Sequence, residues 1–106
     1  MKFHISKINQ LRNKAKDDLN TLVGINQMQY LKGFEFAIEN VYLESNRNRD
    51  IDGFVSQEIC DKLLIFISEN VNILANHQLS NSINGQIAAY TLCREEIEKS
   101  LAQMLK

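Results

Sequence analysis

Not one proline interrupts this chain, and only four glycines punctuate its 106 residues. Turns draw on those two residue types, proline for its preset φ and glycine for its access to positive φ. A β-sandwich needs a turn roughly every 8–12 residues, which this composition does not supply. The chain is therefore predicted to be all-α, a small bundle of three to four helices making one domain over residues 1–106. Hydrophobic residues make up 44% of it, enough for a modest core. Charged residues make up 24% and nearly cancel, to a net -1, which excludes a strongly basic nucleic-acid binder and an acidic disordered chain. Cys60 and Cys93 are too few for a disulfide scaffold. No apolar run approaches the ~20 residues that span a bilayer. Met1–Lys7 lacks the apolar stretch of a secretory signal. The expectation is a cytoplasmic protein with no membrane contact and no cofactor.

Apolar residues recurring at three- and four-residue steps place the helices. Ile5, Ile8, Leu11, Ala15, Leu19 and Leu22 form one stripe on a first helix over about 3–22. Gly24 breaks or kinks the chain after it. A second helix, about 26–46, has a core face of Tyr30, Leu31, Phe34, Ala37, Ile38, Val41 and Tyr42. Its opposite side carries Ile25, Phe36 and Leu43, which fall within about 20° of one another on an ideal wheel. A helix apolar on two sides calls for two partners. Residues 44–53 read as a linker. A third helix, about 54–76, has an apolar arc covering nearly half its cylinder. Residues 77–82 form a polar loop, in which Asn81 or Ser82 can cap a fourth helix over about 82–105. That helix carries Ile83, Ile87, Tyr90, Cys93, Ile97, Leu101 and Met104 on one face.

The second and fourth helices align weakly at an offset of 56 residues, as two hairpins of an internal repeat would. Leu31 then matches Ile87, Gly33 matches Ala89, Phe34 matches Tyr90 and Ala37 matches Cys93. Gly33–Ala37 and Ala89–Cys93 are small residues four apart, a ridge that lets helix backbones approach closely. The same alignment sets Phe36 and Leu92 away from both main apolar faces.

Asn48-Arg49-Asp50-Ile51-Asp52-Gly53, followed by Val55, Ser56 and Glu58, resembles an EF-hand calcium loop. The resemblance implies oxygen ligands from Asn48, Asp50, Asp52 and Glu58, with Gly53 making the sharp turn. The chain departs from that pattern. Asn48 stands where Asp is usual, Ile59 occupies the place of the bidentate Glu, and Glu58 comes one residue early, about 100° round the exiting helix. Arg47 and Arg49 weaken the field for a cation. The plainer reading is a polar loop in which Asp50 or Asp52 caps the third helix.

No group of residues identifies a reaction. His4 and His77 stand alone, the cysteines lie on apolar faces, and neither nucleophile nor phosphate-loop motifs are present. An enzyme is not expected. Charge is uneven: residues 1–32 carry six basic and two acidic groups, and 33–70 carry three basic and eight acidic. The acidic stretch is a candidate for docking a basic surface. Arg94 falls inside the fourth helix's apolar arc, where it must run its stem to water, pair with a carboxylate or face a partner. The expected function is a small non-enzymatic binding protein, a homodimer, whose partner or dimer interface uses Ile25, Phe36, Leu43, Leu92 and Arg94. In length, absence of proline and hairpin style the chain resembles the short helical accessory proteins of phages and mobile elements. That resemblance implies an inhibitor that occludes a host enzyme or defence complex. The alternative is a DNA-binding regulator using residues 73–94 as a helix-turn-helix-like unit, with Asn81, Asn84 and Gln86 offering base-reading amides.

Overall fold

A computed structural model describes residues 2–21 and 24–104. The order of elements is β1 (Lys2–His4), α1 (Ser6–Leu19), α2 (Ile25–Arg47), β2 (Phe54–Ser56), α3 (Gln57–Ala75) and α4 (Asn81–Met104). The protein is a small helical bundle with one two-stranded ribbon. Gly24 breaks the chain, as its position predicts: it is the N-cap of α2, with φ -66° and ψ 161°. Leu22 and the side chain of Met104, both placed on helical stripes above, lie outside the described residues.

The ribbon corrects two expected helix starts. Residues 2–4 and 54–56 are extended and pair antiparallel, Lys2 with Ser56, Phe3 with Val55 and His4 with Phe54. Phe3 and Val55 are fully buried, so one face of the ribbon closes the core. His4 and Phe54 meet edge to face on the other, with ring centroids 4.6 Å apart. The helix caps also differ from expectation. Ser56, not Asp50 or Asp52, caps α3 by accepting the Ile59 N–H. Ser80, not Asn81 or Ser82, accepts the Ile83 N–H at the start of α4.

The centre of the molecule is the contact between α2 and α4. A Cβ on Gly33 would collide with the backbone carbonyl of Ser82, and one on Gly85 with the backbone carbonyl of Tyr30. Only glycine lets the two backbones come so close, with its α-hydrogen set against the neighbouring carbonyl. Farther along, Asn40 Nδ2 donates to the Tyr90 hydroxyl at 3.1 Å, so the two helices run in the same direction. α1 braces α2 from outside. The Arg12 guanidinium donates twice to the Glu39 carboxylate, at 2.5 and 3.2 Å, and lies 4.4 Å from the centre of the Tyr42 ring.

The two contacts are reciprocal. Gly33 and Gly85 are 52 residues apart, and so are Tyr30 and Ser82. The same offset carries β1 onto β2 residue for residue. It also carries buried Phe3, Ile8 and Ala15 onto buried Val55, Cys60 and Ile67. On the inner helices, Ala37, Ile38, Val41 and Ser45 fall on Ala89, Tyr90, Cys93 and Ile97, all buried. The chain is thus two βαα units related by a pseudo-two-fold axis. The structural offset is 52, not the 56 of the helix alignment, which is displaced by one helical turn. A four-residue slip rotates a helix by only about 40°, so it leaves the apolar stripe almost in phase.

Candidate functional site

The outer face of α2 carries three exposed large apolar side chains; Ile65, Ile73 and Leu79, on and after α3, are exposed to a similar degree. Ile25, Phe36 and Leu43 retain 74%, 55% and 49% of their surface in water. They point away from the packed ridge of Gly33, Ala37, Val41 and Ser45, as helical phase requires. Exposed Lys32 and Arg47 lie along the same side. The neighbouring carboxylates are already engaged, Glu39 by Arg12 and Glu44 by Arg47 at 3.1 Å. Arg47 is itself the partner of Glu44, so the face offers apolar surface fringed by paired charges and by exposed Lys32. Leu92 and Arg94 are not part of this stripe. Both lie on α4 and are half-buried, and Arg94 sits 3.9 Å from Glu98 on its own helix. An arginine in the apolar arc has run its stem outward and met a carboxylate one turn on.

Residues 48–53 form an ordered turn. Asp50 Oδ1 accepts the N–H groups of Asp52 and Phe54, at 3.0 and 2.9 Å, and the Asp50 carbonyl accepts from Gly53. Gly53 takes φ +88°, a left-handed conformation that favours glycine. Arg49 donates to the carbonyls of Asp50 and Ile51, and Asn48 Nδ2 donates to the Glu44 carbonyl. Glu58 faces solvent and pairs with Lys62 at 3.7 Å. The Asp50 and Glu58 carboxylates are thus directed to different partners, the backbone of the turn and Lys62, and a guanidinium lies against two carbonyls of the turn. Among the described residues no three of His, Cys, Asp and Glu are grouped to hold a metal ion. At the tip, Ile51 is 93% exposed, which the sequence reading did not single out. From β1, His4 Nδ1 accepts the Ser6 N–H while its Nε2 donates to the Asp52 carbonyl.

The cysteines are buried and free. Burial pushes the Cys93 thiol up to about 12, with a smaller contribution from Glu96. Burial raises Cys60 as well, helped by Asp61. Neither is placed to supply a thiolate. A pocket of about 120 Å³ lies between the end of α2 and α3, lined by Glu44, Asn48, Ile59, Lys62, Leu63 and Phe66. It is small beside the ~300–1,000 Å³ of a typical ligand site. The helix-turn-helix candidate spans the end of α3 and the start of α4. There the glycine contact with α2 buries Gly85 and leaves Asn81 and Gln86 half-buried, with Asn84 exposed. Among the described residues no helix is long and apolar enough to cross a membrane.

Compared with known protein families, with curated proteins and with solved structures, the chain matches none.

Proposed function

We propose that this is a small, non-catalytic binding protein that occupies the surface of a partner protein through the outer face of α2. Ile25, Phe36 and Leu43 are its anchors. The observation that supports this most is an internal control. The pseudo-two-fold axis gives the α2 positions from Gln29 onward a helical counterpart on α4. The counterparts of Phe36 and Leu43 are Ala88 and Glu95, whereas Ile25 maps to His77 in the turn before α4. Folding a βαα unit therefore does not require large apolar residues at those positions. We read Phe36 and Leu43 as serving a contact outside the monomer.

The three side chains together expose roughly 300 Å², whereas a standard interface buries about 800 Å² per partner. They are an anchor for a wider contact that takes in Lys32 and Arg47. In this reading the protein works in the cytoplasm, as an accessory protein of the phage or mobile-element type, and inhibits a host enzyme or defence complex by occlusion. Self-association as a homodimer through the same face belongs to the same reading.

The test is a paired substitution, Phe36→Asp with Leu43→Lys. Both residues are half in water, so helix content and melting temperature should change little. Light scattering and hydrophobic-dye binding on both proteins report self-association and exposed apolar surface. Capture from the native host, followed by mass spectrometry, should show a partner held by the parent and lost by the variant. A monomeric parent that binds no dye and captures the same proteins as the variant overturns the proposal.

A further inference from the structure

The 52-residue correspondence concerns how the protein recognises itself. We propose that the face joining the two βαα units is homotypic, so that each unit accepts the opposite unit of a second copy of this chain. Two copies then close into a dimer by exchanging halves. The inference is independent of the outer face of α2.

Three observations support it. First, the contacts between halves are reciprocal. Gly33 meets Ser82 as Gly85 meets Tyr30, and β1 pairs with β2 about the centre of the Phe3–Val55 pair. A surface built this way is self-complementary, as dimer interfaces with two-fold symmetry are. Secondly, each half also has its own internal contacts. In the first, Arg12 of α1 grips Glu39 and Tyr42 of α2. In the second, buried Cys60, Leu63 and Ile67 of α3 share a core with Cys93 and Ile97 of α4. Thirdly, residues 48–53 alone connect the halves. An exchanged dimer keeps the ribbon, both glycine contacts and the core. It changes only that turn, where Asp50 and Gly53 would give up their local hydrogen bonds. Shortening the turn removes the closed monomer while leaving the exchanged dimer open to the chain.

The full-length chain is prepared with two different affinity tags. The two forms are mixed either as folded proteins or after joint unfolding, then refolded together at low and high concentration. Dimers carrying both tags should appear after joint refolding, rise with concentration, and stay several-fold scarcer when folded chains are mixed. A surface dimer through α2 forms equally by either route, so the two proposals fail separately. A variant lacking Arg49–Asp52 should be dimeric at every concentration, with the parent's helix signal. The proposal is overturned if that variant is a folded monomer, or if joint refolding yields no doubly tagged dimer. Should the shortened chain not fold, a circular permutant decides. It starts at Phe54 and joins the end of α4 to β1 through a flexible linker. Folding with the parent's helix content upholds the equivalence of the two connections, and failure to fold refutes it.

Discussion

Gly33→Ala sets two known effects of opposite sign against each other. In an exposed helix, replacing glycine by alanine stabilises by about 1 kcal/mol, because the unfolded glycine has more conformational freedom to lose. At Gly33 the new methyl group would enter the space of the Ser82 backbone carbonyl. A side chain could swing aside; a carbonyl inside a helix cannot. The helices must separate or α4 must distort, and overpacking of this kind costs about 1–3 kcal/mol, occasionally more. Separation also loosens the small-residue ridge behind the glycine, where Ala37, Val41, Ala89 and Cys93 are all buried. A methyl group set directly against a backbone oxygen puts the cost at the upper end. After the propensity gain of about 1 kcal/mol, the net effect is a loss of about 2 kcal/mol, or roughly 8–16 °C in melting temperature for a domain of this size. Gly85→Ala should cost a similar amount. The double variant should cost less than the two losses added, because one widened crossing admits both methyl groups. Gly24→Ala, with open space around it, should cost only a fraction of this. Urea denaturation of the four variants measures all of these. If Gly33→Ala is more stable than the parent by the propensity gain, the close approach of α2 and α4 is refuted.

Other expectations follow from the brace and the thiols. Arg12→Lys should cost about 1–2 kcal/mol in denaturant melts, since an ammonium cannot reproduce the two-pronged contact with Glu39 or the stacking on Tyr42. Full stability in that variant would show the brace to be idle. Cys60 and Cys93 hold their protons more tightly in the folded than in the unfolded state, Cys93 up to about 12. Between the ordinary thiol value of about 8.5 and that value, the unfolded chain therefore binds fewer protons than the native one. Stability contributed by the protonated thiols is fully present below pH ~8.5 and falls as pH rises toward 12. Buried Tyr90, also raised, extends the loss above its ordinary range. Denaturant melts from pH 7 to 11 test this, together with thiol labelling, which should be slow until the protein unfolds. Rapid labelling of the native protein contradicts the burial.

The helices were legible because their signals are long. Stripes of five or more apolar residues set α1, α2, α3 and α4 to within a few residues, and Gly24 marked the one break. The ribbon was not. Each strand is three residues long, and Lys2-Phe3-His4 and Phe54-Val55-Ser56 are too short to display a two-residue period against the helical pattern that follows. Without the strands, nothing pinned the register between halves, so the match settled one turn away and Gly85 went unpaired with Gly33. The exposed face of α2 was legible because Ile25, Phe36 and Leu43 stand opposite a full core face. The polar loop before α3 was legible, but its internal bonding was not: Asp50 accepts two backbone N–H groups of the turn, and Ser56 caps α3 instead.

The ribbon has a consequence for how the protein is made. β1 leaves the ribosome well before its strand partner β2, which is encoded some fifty codons later, and the helix that packs on Gly33 comes later still. Until most of α4 has emerged, the nascent first half has an unsatisfied strand edge and an uncovered helix ridge. Pairings so distant along the chain are slow to form and are exposed to misassociation meanwhile. Native structure in this domain should therefore be acquired only once most of α4 has emerged, in one late step, and not progressively as its elements appear.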